Sequence, residues 1–191
     1  MSISDAERWD ERYRAATAPS AVSPHPIVDL AVELLGGVPA RMLDVACGFG
    51  NDGLSMAQRG SDVCLADVSS VALEHVRQRA HDLDVRVQTE VLDTANDDLP
   101  VGPWEMVSCI RYLDRDLLGR IGEVLSPGGV VVVAIATTTN LERHERPSAR
   151  FLVSPDELST LLDGANLDVV HHDEAWRANG AHEAWVIARR R

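Results

Sequence analysis

An α/β fold is predicted, with a seven-stranded, mostly parallel sheet, helices on both faces and a C-terminal antiparallel hairpin strand. Three features predict it. Apolar strand-like runs alternate with helix-like stretches from residue 41 onward. The run VVVVAIA beginning at Val130 is apolar on both faces, as a central parallel strand must be. The last two strand segments, 168–174 and 183–188, are separated only by a short loop around Asn179-Gly180, which reads as a hairpin rather than a helical crossover.

Each element follows from local chemistry. Ser4-Asp-Ala-Glu7 has the spacing of a capping box and opens a helix to about residue 18, with Ala6, Trp9, Tyr13 and Ala16 on one stripe. A proline-rich hinge covers 19–26, and Pro26 suits the first turn of a helix through Leu35 that Gly36-Gly37 ends. Strand 41–46, helix 53–59, strand 62–66, helix 70–83 and strand 85–92 then make a βαβαβ unit, whose right-handed crossovers give a parallel half-sheet. Strand 104–110 and a helix over 116–125 follow, and Pro127-Gly128-Gly129 is expected as the turn into the Val130 strand. Ser154-Pro-Asp-Glu157 reads as a second capping box, with proline at the first helical position of a helix that stops at Gly164.

The chain has 191 residues, 45% of them hydrophobic, enough for one well-buried domain and too few for a dinucleotide domain plus a separate substrate domain. Its net charge of -12 argues against a nucleic-acid partner, because phosphate binding needs a basic field and the 18 Lys and Arg form no dominant cluster. No apolar run reaches membrane-spanning length and residues 1–20 are charged rather than signal-like, so no membrane partner and a cytoplasmic location are expected. Cys47, Cys64 and Cys109 are odd in number and unevenly spaced, as buried free thiols are, and the histidines form no metal-ligand pair; no metal is assigned.

The segment from Arg41 to Ser69 carries the chemistry. A strand runs into a glycine loop and a helix, and a second strand leads to Asp67, whose carboxylate can accept both hydroxyls of a ribose. Gly48, Gly50 and Gly53 spell the G-x-G-x-x-G of a dinucleotide fold, leaving a nicotinamide or flavin enzyme as one reading. In a second register the loop is D-x-[GA]-x-G-x-G, with Asp44 just before the turn, where a cationic ligand would want it and a pyrophosphate would not. S-adenosylmethionine is such a ligand.

On DVACGFG, DVSSVALE, the VLD near residue 93, RYLDR and LSPGG, the chain resembles the class I S-adenosylmethionine-dependent methyltransferases, whose fold is Rossmann-like. WDERYR near the N-terminus and RFLVSPDEL late in the chain resemble the small bacterial branch that includes tellurite-resistance methyltransferases. One domain is implied, with an N-terminal helical lid (1–40), a cofactor-binding core (41–136), an acceptor-side loop (137–153) and a C-terminal helix and hairpin (154–191). The resemblance puts S-adenosylmethionine at the carboxyl ends of the first strands. There Asp44 bonds the loop amides or the methionine ammonium, and Gly48 and Gly50 let the backbone approach. Ala46 stands where glycine is commoner, its methyl tolerated if φ stays negative. Asp93 receives the adenine amino group and Thr94 offers a backbone N–H. Ile110 and Arg111 lie beneath the methionine, and Cys47, Val68 and Leu92 complete the rim. Trp9 and Tyr13, one turn apart, form either an aromatic lid over the sulfonium or ordinary helix packing.

The acceptor side is less specific. It is expected to form from the first helix, the Arg111–Asp114 turn and the segment from Thr137 to Phe151. Tyr112, Arg143, His144 and Arg146 are the candidate acceptor-binding residues, and the basic trio suggests a small anionic acceptor. Tyr112, Asp114 or His144 could act as a base if one is needed. RYLD replaces the [DN]-P-P-[YF] element of enzymes that methylate base amines, which argues against those acceptors. A noncatalytic S-adenosylmethionine-binding protein and an NAD-dependent oxidoreductase are the rival functions.

Overall fold

The computed structural model describes residues 4–191. Seven strands, β1 Arg41–Val45, β2 Asp62–Asp67, β3 Gln88–Val91, β4 Trp104–Ile110, β5 Leu125–Ala136, β6 Leu167–Trp176 and β7 His182–Arg190, form one sheet in the order β3-β2-β1-β4-β5-β7-β6. The first five are parallel, and β7 runs antiparallel between β5 and β6, as the hairpin predicted. Chain order reverses between β1 and β4, and ligands of open α/β sheets bind at such a switch point, beyond the carboxyl ends of the strands.

Among the described residues six α-helices accompany the sheet: α1 Asp5–Ala15, α2 Pro26–Leu35, α3 Asn51–Gln58, α4 Ser70–Asp82, α5 Arg115–Arg120 and α6 Glu157–Gly164. Adjacent strand residues feed opposite faces, which is why the central strands are apolar throughout. Met42, Met106 and Val132 pack on α2, α3 and α4 through Ile27, Leu54 and Val76. Their neighbours Leu43, Val107 and Val133 pack on α5 and α6 through Leu117 and Leu158.

Both halves of the Ser4–Glu7 capping box form, although α1 ends at Ala15, short of residue 18. This helix buries none of its residues, and polar contacts hold it against α4. The Asp10 carboxylate accepts from Ser69 Oγ (2.6 Å) and Val71 N (3.3 Å), while His75 Nε2 meets the Tyr13 carbonyl at 3.2 Å. An acid at the N-terminus of α4 meets the unpaired N–H groups there and the positive end of the helix dipole.

Four local expectations need correction. α3 begins at Asn51, two residues early, because Gly50 takes φ 73° and supplies the N-cap. The helix expected over 116–125 is α5 followed by a tight 3-10 turn over Ile121–Val124. Pro127-Gly128-Gly129 is a kink inside β5 rather than a turn before it, since Leu125 already pairs with Trp104 and Gly128 adopts φ 77° where the register jumps to Val130–Met106. The second capping box forms only by half. Glu157 accepts from Ser154 N (2.8 Å), but Asp156 N–H is drawn to Glu174 of β6 (2.9 Å), and α6 starts after Asp156 at φ 60°, leaving Pro155 ahead of the helix.

Candidate functional site

A cavity of about 350 Å³ opens at the carboxyl ends of β1, β2 and β4, with α1 above it. Trp9, Tyr13, Asp44, Ala46, Cys47, Gly48, Asp67, Val68, Leu92, Asp93, Thr94, Ile110, Arg111 and Tyr112 all line it. Gly50 lies beneath the loop, where an added Cβ would come within 2.8 Å of Leu65 and 2.9 Å of Val76. Asp5, Arg12, Phe49, Asn51 and Asp52 also line the cavity and were not among the expected residues.

Asp44 is 2% exposed and anchors the loop: Oδ1 accepts from Ser108 Oγ of β4 (2.7 Å) and Oδ2 from Gly53 N of α3 (3.0 Å). Burial, with the nearby Asp52 carboxylate, pushes its carboxyl up to about 8. A second anchor was not legible locally. Arg79 of α4 donates to Phe49 O, to Asn51 Oδ1 (2.9 Å) and to Ala21 O (3.1 Å), tying the glycine loop to the hinge before α2.

Ala46 corrects the expectation made for it, because its φ is +53° rather than negative. A left-handed L-residue costs about 1–2 kcal/mol, partly offset in any glycine replacement by the entropy glycine loses on folding. Ala46→Gly is therefore expected to stabilise the fold by about 0.5–1 kcal/mol, read as a Tm higher by about 1–4 °C. An unchanged or lower Tm in thermal unfolding would rule out strain at this turn.

Asp67, 6% exposed, accepts from Gly48 N through Oδ2 and from Ser69 N through Oδ1, both at 2.9 Å, and burial pushes its carboxyl up. Ser69 itself caps α4 by accepting from Ala72 N (3.1 Å). Gly48 adopts φ 54°, and a Cβ there would lie 2.7 Å from the Tyr13 hydroxyl. Trp9 and Tyr13 stack at 5.9 Å, and Tyr13 meets Phe49 edge-on at 5.1 Å, so α1 reaches the glycine loop through its aromatic side chains.

Asp93 lines the cavity while also capping its own turn, accepting from Ala95 N (3.1 Å) and Asn96 Nδ2 (2.8 Å). The Thr94 hydroxyl bridges the Tyr112 hydroxyl (2.6 Å) and Asp114 Oδ2 (2.8 Å). Asp114 caps α5 through Leu117 N (3.0 Å) and does not line the cavity. Of the three candidate bases only Tyr112 does, and burial pushes its phenol up, away from the range of a neutral-pH base.

Arg143, His144 and Arg146 do not line this cavity. The hairpin holds two of them, and the third is held within its own segment. Arg143 stacks 3.9 Å over the Trp176 ring, His144 Nε2 meets Gly180 O at 2.7 Å, and the Arg146 carbonyl accepts from Asn140 Nδ2 (3.1 Å). The base of the segment is pinned where Thr137 Oγ1 meets His182 Nδ1 at 2.7 Å and Thr138 N donates to Val153 O (2.8 Å).

A buried polar group lies next to the cavity. Glu183 of β7 is 3% exposed; Trp185 Nε1 donates to Oε2 (2.9 Å), His25 Nε2 lies 3.6 Å from Oε2 and Arg111 Nε 3.7 Å from Oε1. Burial alone would raise its carboxyl, but the His25 and Trp185 hydrogen bonds and the Arg111 guanidinium hold it at about 2. His25 N–H in turn donates to Asp52 Oδ1 at 2.6 Å. Outside the cavity, His172 of β6 lies beside Glu174 (3.2 Å) and Asp156 (4.0 Å), and these surface groups engage one another.

Comparison with known proteins agrees with this geometry. Residues 42–129 match the family described as Methyltransferase domain. A ubiquinone biosynthesis O-methyltransferase of Alkalilimnicola ehrlichii is 32% identical over 114 residues, 55% of this chain and 45% of that protein. A tRNA 5-carboxymethoxyuridine methyltransferase of Escherichia coli is 25% identical over 132 residues, 65% of this chain and 51% of that protein. The chain thus spans about half the length of these curated relatives. The crystal structure of TehB from Haemophilus influenzae superposes with a TM-score of 0.74 at 16% identity, over 96% of this chain and 67% of that chain, a likeness of fold. Sheet order, glycine loop and the match over residues 42–129 together show that the chain has the fold of these methyltransferases and that its cofactor half is similar to the methyltransferase domain.

Proposed function

We propose that the protein transfers a methyl group from S-adenosylmethionine to a small-molecule acceptor bearing an anionic group. One observation carries the cofactor reading: Asp44, Asp52, Asp67 and Asp93 line a single cavity at the switch point of the sheet. Such a set of acceptors suits hydroxyls, an amino group and a cationic sulfur, and repels the diphosphate of NAD. When bound, the cofactor supplies an electrophilic methyl that an acceptor lone pair takes in one displacement.

The chain's own work is then to bind, orient and exclude water, which can lower a barrier by about 7–11 kcal/mol with no covalent residue. Asp67 would hold the ribose hydroxyls, Asp93 and Thr94 the adenine, and Trp9 and Tyr13 would cover the site. Arg12 and Arg111 are the guanidinium groups on the cavity wall, and Arg111, 62% exposed and steered by Glu183, is the cavity's support for an anionic acceptor. The net charge of -12 supports a small molecule over a nucleic acid, and no described helix is long and apolar enough to cross a membrane, in keeping with a cytoplasmic enzyme.

Calorimetry with S-adenosylmethionine, S-adenosylhomocysteine and NAD tests the cofactor; preference for NAD would overturn the reading. A screen of small carboxylates, oxyanions, thiols and phenols for S-adenosylhomocysteine formation separates an enzyme from a binding protein. Asp10→Ala, which unlatches α1 from α4, is expected to weaken S-adenosylmethionine about fivefold, in line with about 1 kcal/mol for such a cap. Unchanged affinity would show that α1 is not a lid.

A further inference from the structure

Asp114, Thr94 and Tyr112 form a hydrogen-bonded chain whose direction is fixed at one end. Asp114 is the N-cap of α5, and its Oδ1 accepts from Leu117 N at 3.0 Å. Its Oδ2 lies 2.8 Å from Thr94 Oγ1. A carboxylate only accepts, so the single hydroxyl proton of Thr94 goes to Asp114. The bond of 2.6 Å between Thr94 Oγ1 and Tyr112 Oη must then take its proton from Tyr112. With that proton turned toward Thr94, the Tyr112 oxygen presents only lone pairs elsewhere, and among the described residues no side chain or N–H donates to them.

The chain leads outward from the cavity wall. Tyr112 and Thr94 line the cavity and Asp114 does not. Arg120 Nη2 donates to the Thr94 carbonyl at 2.8 Å, so the backbone at Thr94 is held as firmly as its side chain. Leu92 N donates to Asp67 O at 3.0 Å, which sets the turn over residues 92–94 against the end of β2. The other flank of Asp67 is taken by Gly48 N of the glycine loop. A nucleoside with its ribose on Asp67 therefore has its base on the side of this turn, where the Tyr112 hydroxyl reaches Thr94.

We propose that Tyr112 reads the base of the cofactor: its oxygen accepts from the 6-amino group of adenine and turns away a 6-oxo purine, and Asp114 is the positioning residue that sets this polarity through Thr94. The inference rests on the S-adenosylmethionine reading of the cavity. An exocyclic amine carries two N–H groups, so Asp93 takes one and Tyr112 the other. A hydroxyl free to rotate serves an amine and a carbonyl alike. Asp114 removes that freedom, and a 6-oxo base then sets one lone pair against another with no proton between them.

Asp114→Asn reverses the chain. The asparagine oxygen still caps Leu117 N, so its Nδ2 faces Thr94 and donates; Thr94 then donates to Tyr112, whose O–H turns into the cavity. Competition calorimetry of the intact protein with S-adenosylhomocysteine and its 6-oxo analogue S-inosylhomocysteine reads the result. The wild-type protein is expected to prefer the adenosyl ligand, and Asp114→Asn to narrow that preference at least about tenfold, weakening the adenosyl ligand while tightening the inosyl one. A merely loosened site weakens both ligands together, and the different N1 atoms of the two bases cancel when the two proteins are compared. Tyr112→Phe removes the oxygen itself, should also narrow the preference, and decides the matter if Asp114→Asn does not fold. An unchanged preference in the folded variant would overturn the inference while leaving the cofactor reading intact. Failure of the wild-type protein to bind S-adenosylhomocysteine would overturn both.

Discussion

Asp67→Ala is expected to weaken S-adenosylmethionine binding at least about tenfold, measured by titration calorimetry at fixed pH and salt. The carboxylate is buried at the end of β2 and already accepts one backbone N–H on each oxygen, from Gly48 and from Ser69. Each oxygen has a second lone pair, and the two that remain are the ones a ribose diol would use. Hydrogen bonds to a charged acceptor are worth about 1.5–3 kcal/mol each, so losing even one exceeds the tenfold threshold. The alanine variant also leaves Gly48 and Ser69 N–H without their partner, which should lower Tm as well. Asp67→Asn separates the two effects, because it keeps one acceptor oxygen and the shape of the side chain. A folded Asp67→Ala protein with wild-type affinity would refute the ribose assignment.

The site residues legible in the sequence are those whose role is set by neighbours along the chain. Asp44 and the glycines belong to one strand-loop-helix unit, and Asp67 follows at the next strand end, so periodicity and spacing place them together. Ala46 shows the limit of that logic: the residue type is visible in the loop, but its left-handed backbone follows from where Cys47 N must go, to Ala66 O of β2 at 3.1 Å. Arg143, His144 and Arg146, which lie away from the cavity lining, show a related limit. A basic cluster in sequence has no direction until Trp176 and the Gly180 carbonyl, far along the chain, capture two of its members (the His144 to Gly180 bond spans 36 residues). His25, Asp52 and Glu183 come from the hinge before α2, the start of α3 and the start of β7, so no local pattern links them. Only the sheet order, which sets β7 beside β5 with Glu183 opposite Ala136, brings Glu183 within 3.7 Å of Arg111 on the cavity wall.

Glu183→Ala is expected to lower Tm by about 10 °C at pH 7, because removing one member of a buried charged group costs about 3–5 kcal/mol and each kcal/mol moves Tm by about 2–4 °C at this chain length. The substitution would strand Trp185 Nε1 and deprive His25 and Arg111 of their shared carboxylate. The sign of the pH dependence follows from the depressed carboxyl, held at about 2 against an ordinary 4.5. Above 4.5 the group is ionised in the folded and unfolded chains alike, and its contribution of about 3 kcal/mol is complete. As pH falls from 4.5 toward 2 the unfolded chain takes up the proton first, so the contribution drains away. The stability gap between wild type and Glu183→Ala should therefore narrow through that window, in urea unfolding series followed by circular dichroism. Glu183→Gln, which keeps an acceptor for Trp185 but not the charge, should lie between the two at pH 7 and show no such narrowing relative to Glu183→Ala. A gap that stays constant from pH 7 down to 3 would mean that the charge on Glu183 does not hold β7 to the start of α2, and that Arg111 is oriented by something else.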